Sequence, residues 1–475
     1  MKNKVLLIDL PTFPKGVLSL SLLTVAGVLQ PYFKCEYFDL NFEEDRKRLL
    51  QHDLENIALV GIKVSSQSFS HAIEITQFIK QKRAEATVLW GGELPTLIKE
   101  ECLAYANLIV SGLFESVANE LIQDLHNNRL KQVYVGNNRP ENGFGIPDFS
   151  IIHSPNRYNS FMGYPLESSR GCNQHCVFCM VLVMQAKNYY VKAPSQLEQD
   201  LKAIGHRFLN VVDYNVGVSK QHALLLAALI KQSEVLGWMA EMNIEILDDD
   251  KLLQALKQSR CRMIYCGLES IDEQALHSVN KDKTNKVYNY ERIIRKVQSY
   301  GIDIAAGLIL GLDNADWASY KRTLAFYDKM GIIYTKFTFL VYNPGTRVKE
   351  YMARHGQYVT NTVDKYDGLQ VSFLPAGQNE LDLYNHAEEL MKSYYSPSAV
   401  WRRSGHIKYS LSRRFEHFLF SICYGQVYTD WCKTRGQSGY PNISSLVNKT
   451  YTKNWRIVIA EKLLHIVRKI NYRDA

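Results

Sequence analysis

The chain has 475 residues, 46% of them hydrophobic and 22% charged. At about 150 residues per domain this length calls for roughly three domains, and the composition excludes a disordered or low-complexity protein. The net charge of +8 is uneven: residues 401–475 carry 14 Lys/Arg against 4 Asp/Glu, leaving 42 against 44 in the rest. No recognition motif accompanies that basic tail, so no nucleic acid is expected as a partner.

At the amino terminus Asp9 interrupts the apolar run before a signal-peptide core is complete. With no secretory signal, nine cysteines read as reduced thiols or metal ligands, and a cytoplasmic setting is expected. The uncharged stretch Gly16–Phe33 just reaches membrane-spanning length, yet it holds Ser19, Ser21, Thr24, Gln30 and Pro31 and reads as a buried helix.

Residues 1–136 alternate short apolar runs (VLLIDL, CEYFDL, IALVGIKV, TVLWGG, NLIVSG) with longer amphipathic ones, such as the helix expected near Ser70–Arg83. That rhythm predicts an α/β domain with an open parallel sheet. Ligands of such sheets sit at the carboxyl ends of the strands. Here those ends read Ser65-Ser66, Gly91-Gly92 with Pro95-Thr96, and Gly112, although a Gly-Gly pair also serves as a plain tight turn.

Residues 137–163, rich in Asn, Gly and Pro, form the expected linker. A second alternation fills residues 164–355, with strands near Pro165–Ser169, LNVVDYN, WMAEMNIE, RMIYCGLE, DIAAGLILG and IYTKFTFLV. Six β/α units suit a partial or full barrel with its site at the carboxyl face. Residues 356–475 are read as a basic, mainly helical domain. Its last segment, Asn454–Asn471, is either a basic amphipathic helix on a membrane surface or a helix docked on its own domain.

Three cysteines fall within nine residues just after the first barrel strand: Cys172, Cys176 and Cys179. A structural zinc site wants a fourth ligand at a recognisable spacing. His175 is one residue from Cys176, and no paired knuckle accompanies it. Three thiolates suit a cubane cluster with one iron open to another ligand.

The C-x3-C-x2-C spacing, with Phe178 before the last cysteine, resembles the signature of the radical SAM superfamily. The resemblance implies a [4Fe-4S] cluster whose open iron binds S-adenosylmethionine and cleaves it to a 5′-deoxyadenosyl radical. Ser169-Arg170-Gly171, Gly267-Leu268-Glu269-Ser270, Gly307–Gly311 and Asn343-Pro344-Gly345-Thr346 resemble landmarks of the cobalamin-associated branch. It implies that Phe178, Asp213, Gly267, Glu269, Ser270 and Gly311 contact SAM. Asp213-Tyr214-Asn215 departs from a common Asp-Asp-Asn.

The first domain resembles the Rossmann-like cobalamin-binding domain of that branch, which implies cobalamin contacts at Ser65, Ser66, Gly91, Gly92, Thr96 and Gly112. The lower-ligand histidine motif is absent, since Asp124-Leu125-His126 lacks its glycine. Tyr366-Asp367-Gly368, Phe373-Leu374-Pro375 and Tyr394-Tyr395-Ser396-Pro397 resemble the helical extension of enzymes that modify hopanoids and other natural products. The family implies a C-methyltransferase acting on a small-molecule or lipid-like substrate, reduced by a partner such as flavodoxin or ferredoxin. The alternatives are a cyclase or oxidising enzyme with the same cofactors, and a non-enzymatic cobalamin or redox sensor.

Overall fold

The computed structural model describes residues 3–12, 17–137, 143–158, 162–184, 188–312, 317–358, 363, 366–434, 459–460, 462–464 and 466–468. Six strands form the first sheet: β1 (Lys4–Asp9), β2 (Lys34–Asp39), β3 (Ile57–Lys63), β4 (Val88–Gly91), β5 (Leu108–Ser111) and β6 (Val133–Val135). They run parallel in the order β2-β1-β3-β4-β5-β6. Helices cover both faces, so β1, β3 and β5 are buried almost throughout and need near-continuous apolar sequence. That explains why five of these strands were legible. β6, three residues long, and the highly charged helix Glu43–Gln51 carried too little pattern to be expected.

The Gly16–Phe33 stretch holds helix Leu20–Leu29, buried between β1 and helix Phe114–His126. Among the described residues no helix is long and apolar enough to cross a membrane. The described part of the linker is strapped across that first helix. The Asp148 amide donates to the Leu23 carbonyl at 2.9 Å, and a Cβ on Gly27 would collide with the Ile146 carbonyl. Tyr158 then ties the strap to β2, donating to Asp39 at 2.8 Å. Residues 138–142 and 159–161 of the linker lie outside the described residues.

The second sheet contains β7 (Tyr164–Leu166), β10 (Phe208–Val211), β11 (Gly237–Glu241), β12 (Cys261–Glu269), β13 (Asp303–Leu310) and β14 (Thr335–Phe339). All are parallel, and β7 and β14 are edges that do not pair with each other. The barrel is therefore partial. The first expected strand, Pro165–Ser169, needs correction: it stops at Leu166, and Ser169–Gly171 is β8 of a hairpin whose second arm is β9 (Tyr189–Val191). The break comes from Asp213, whose carboxylate accepts from the Ser168 amide and hydroxyl, both at 2.6 Å, and draws the chain off the sheet.

Beyond β15 (Gly356–Tyr358) and β16 (Phe373–Pro375), helices Glu380–Tyr394, Pro397–Ser404 and Leu411–Thr434 close the open side. Their tyrosines serve the unpaired edge of β14. Tyr395 accepts from the Thr335 amide at 2.9 Å and donates to its carbonyl at 2.7 Å, while Tyr428 accepts from the Phe337 amide at 2.8 Å. Buried backbone groups that a seventh strand would satisfy are met by phenol hydroxyls instead. Of Asn454–Asn471, residues 454–458, 461, 465 and 469–471 lie outside the described residues. In the remainder, Leu464 is buried and Arg468 pairs with Glu416 at 3.5 Å over the Phe208 ring, so the segment docks on its own chain.

Candidate active site

The loop carrying Cys172, Cys176 and Cys179 leaves β8 at the carboxyl end of the barrel and is gripped by two segments, Val279-Asn280 and the turn at Asn343–Arg347. Val279 accepts from the Val177 amide at 3.0 Å, and Asn280 and Arg347 both donate to the His175 carbonyl, at 3.1 and 2.8 Å. Asn343, in the Asn-Pro-Gly-Thr turn, donates to the Phe178 carbonyl at 3.4 Å. The His175 side chain is exposed. Its backbone holds the loop, while the three thiols share one electrostatic neighbourhood.

Burial raises the Cys176 thiol and pushes Cys179 up to about 12. A coordinated iron would deprotonate such thiols outright. Among the described residues no three His, Cys, Asp or Glu side chains converge tightly enough for a single metal ion. Three thiols on one loop, close enough to act on one another electrostatically, suit a cluster that offers each a separate corner iron. Asn215 adds a polar neighbour, its amide 3.9 Å from the Cys172 sulfur.

Next to the thiols, β12 ends at Glu269, a buried carboxylate with a positive φ of 64°. Lys281 donates to it at 2.9 Å and lies 5.7 Å from the Phe178 ring centroid. Desolvation works against the Lys281 charge, but Glu269 and Cys176 outweigh it and hold its pKa above the ordinary value. Two glycines exist to admit this carboxylate. A Cβ on Gly307 would lie 2.5 Å from Glu269 Oε2, and one on Gly267 would lie 2.7 Å from Oε1.

Ser270 is buried and spends its hydroxyl accepting from the Asp272 amide, at 3.0 Å. Gly311 adopts φ 91° at the end of β13, its amide donating to Tyr320 at 2.7 Å. The Asp213 carboxylate is fully occupied by Ser168 and Ser169. Burial pushes its pKa to about 6. Lys281 escaped the sequence reading because it lies twelve positions beyond Glu269 and no spacing rule links them.

In the first sheet, Ser65 and Ser68 bond each other at the end of β3, and Ser66 is buried. Gly92 (φ 115°) and Gly112 (φ 90°) hold conformations that side chains resist. Thr96 links them, donating to the Gly92 carbonyl at 2.8 Å and accepting from the Gly112 amide at 3.1 Å. Gly91 lies outside the left-handed region and has nothing nearer than 3.9 Å to a Cβ, so neither backbone nor space demands glycine there. His126 stacks on Phe33.

The two carboxyl edges face each other. Arg170, beside the cysteine loop, pairs with Glu115 in the first turn after β5 at 2.8 Å, and with Glu167 at 2.7 Å. Between them lies a cavity of about 310 Å³ reaching from Gln67 beyond β3 to Glu241 and Lys336 inside the barrel.

The profile of the Radical SAM superfamily matches residues 166–327, the span from β7 through helix Trp317–Lys329. The chain carries a radical SAM domain. Bacteriochlorophyllide d C-12(1)-methyltransferase of Chlorobaculum tepidum is 25% identical over 78% of this chain and 81% of its own. The fold is similar to that of the methyltransferase TsrM from Kitasatospora setae with cobalamin and a [4Fe-4S] cluster bound (TM-score 0.64, 14% identity, 90% of this chain and 99% of that one). It is also similar to that of the cobalamin-dependent SAM radical enzyme OxsB with aqua-cobalamin bound (TM-score 0.63, 15% identity, 99% and 80%). Radical SAM chemistry makes the chain an enzyme using SAM and an iron–sulfur cluster.

Proposed function

We propose that this radical SAM enzyme also binds cobalamin and methylates an unactivated carbon of a small natural-product substrate. The observation that carries the reading is the Arg170–Glu115 contact, which joins the glycine-rich edge of the first sheet to the cysteine hairpin and lets two cofactors serve one cavity. We divide the chain at residues 1–136, 137–163, 164–355 and 356–475.

In this reading Cys172, Cys176 and Cys179 hold the cluster, and Glu269 with Gly267, Ser270, Gly311 and Phe178 borders SAM. Asp213 acts from behind, fixing Ser168 and Ser169 and so the start of the cysteine hairpin. Ser65, Ser66, Gly91, Gly92, Thr96 and Gly112 form the cobalamin edge, which offers backbone, small hydroxyls and no bulky side chain to a broad ligand. When bound, these cofactors supply a carbon-centred radical and a methyl group. The protein orients the substrate and excludes water: Lys281 keeps the Glu269 carboxylate in place, and the tyrosine-capped helices seal the barrel's open side. A reductase such as flavodoxin or ferredoxin would supply electrons, in the cytoplasm or at the inner membrane face.

Anaerobic reconstitution with iron, sulfide and hydroxocobalamin tests the reading. It expects about four irons and near-stoichiometric cobalt per chain, with S-adenosylhomocysteine and 5′-deoxyadenosine both formed. Iron without cobalt would refute the cobalamin assignment. Deoxyadenosine alone on substrate turnover would replace methylation with cyclisation or oxidation.

A further inference from the structure

Among the described residues, two opposite charges on the inner face of the barrel make no side-chain hydrogen bond or ion pair. Glu241 ends β11 and Lys336 is the second residue of β14, and both line the cavity with Met239, Met263, Tyr334 and Phe337. They interact electrostatically, yet no ion pair within 4.0 Å joins them. Both side chains are open to solvent in the cavity. A ligand that fills the chamber desolvates two charges too far apart to neutralise each other, so it has to bring counter-charges of its own. A hydrocarbon-like lipid would strand both.

We propose that the cavity binds a small zwitterion, its cationic group on Glu241, its anionic group on Lys336 and its apolar body against the Met239, Met263, Tyr334 and Phe337 walls. The inference rests on the radical SAM reading and names the substrate class of that site. A volume of about 310 Å³ is at the lower end of the range of small-molecule pockets and admits an amino-acid-sized ligand. Of the residues read as cluster or SAM contacts, Asp213 lines this cavity while Cys172, Cys176, Cys179, Glu269 and Gly311 do not, so it adjoins the SAM position. Tyr265 marks the border, facing the cavity while its hydroxyl lies 2.7 Å from where a Gly307 Cβ would stand.

The test is equilibrium dialysis of the anaerobically reconstituted full chain, with saturating SAM, against three probes of one shape. L-phenylalanine carries both charges, phenethylamine only the cation and hydrocinnamate only the anion. L-phenylalanine is expected to bind at least about tenfold tighter than either single-charge probe. Glu241→Gln should weaken L-phenylalanine and phenethylamine and spare hydrocinnamate; Lys336→Met should weaken L-phenylalanine and hydrocinnamate and spare phenethylamine. The probe each variant still binds shows that it remains folded. Equal binding of the three probes, no binding of any, uniform weakening by both substitutions, or displacement by SAM would overturn the proposal. Failure of the wild-type chain to retain iron or SAM would instead strike the radical SAM reading.

Discussion

The two parallel sheets of this protein use the same β/α rhythm and present opposite kinds of surface. The first is covered on both faces, and its carboxyl edge offers backbone: Gly92 and Gly112 at positive φ, joined through Thr96. The second curls, and its uncovered inner face carries ionisable groups, Glu241, Glu269 and Lys336 among them. A flat sheet has only its edge to give a ligand, whereas a half-barrel also has an interior whose charged side chains a bound ligand can cover. The contrast predicts that damage to the barrel disables the radical chemistry and that damage to the first sheet affects cobalamin alone.

The largest effect should come from Cys176→Ser, which removes a cluster ligand from the gripped loop. Iron content should collapse and SAM cleavage fall below detection, while cobalt retention stays near wild type; cobalt lost in parallel would break the separation. Next is Lys281→Met, which strands the buried Glu269 carboxylate. Breaking a buried pair costs about 3–5 kcal/mol, so calorimetry should show a marked drop in Tm and dialysis a weakened hold on SAM, with partial rescue in Lys281→Arg.

Gly112→Ala should cost about 1–3 kcal/mol of backbone strain, since its φ is 90° and a Cβ would lie 2.5 Å from the Gly136 carbonyl. Cobalt per chain should fall and iron should not. A smaller signature is a pH dependence from Asp213. Its pKa is raised from 3.8 to about 6, so between those values the folded chain binds the extra proton and stability falls as pH rises. The Tm of wild type relative to Asp213→Asn should therefore decline across that window and level off above it; a rising difference would contradict the burial.

The smallest expected effect concerns the tail. Ile459, Leu463 and Ile466 are exposed on the outer side of the docked terminal segment, opposite Leu464. Replacing all three with serine should leave Tm and iron content unchanged. Sedimentation with anionic liposomes then decides whether that face meets a membrane: loss of binding supports peripheral contact, and no change removes it.

The barrel strands and the cysteine loop were legible because both are local. Buried parallel strands need continuous apolar runs such as DIAAGLILG, and three cluster thiols on one loop leave a fixed spacing. Charge–charge partnerships between distant segments leave no such trace. Nothing in Tyr394-Tyr395-Ser396-Pro397 announces that Tyr395 caps the edge of β14, sixty positions away. Nor does the run Pro165–Ser169 reveal that Asp213 will bend it off the sheet.

The sequence by itself determined the two α/β sheets, the three cysteines and the glycine-marked strand ends, since periodicity, spacing and φ requirements act over a few residues. Only the tertiary structure decided that the two carboxyl edges meet through Arg170 and Glu115, that Lys281 holds Glu269, and that Glu241 and Lys336 share one chamber. Those pairings arise when curling sheets bring distant strands together, and electrostatics in a desolvated interior then selects what remains there.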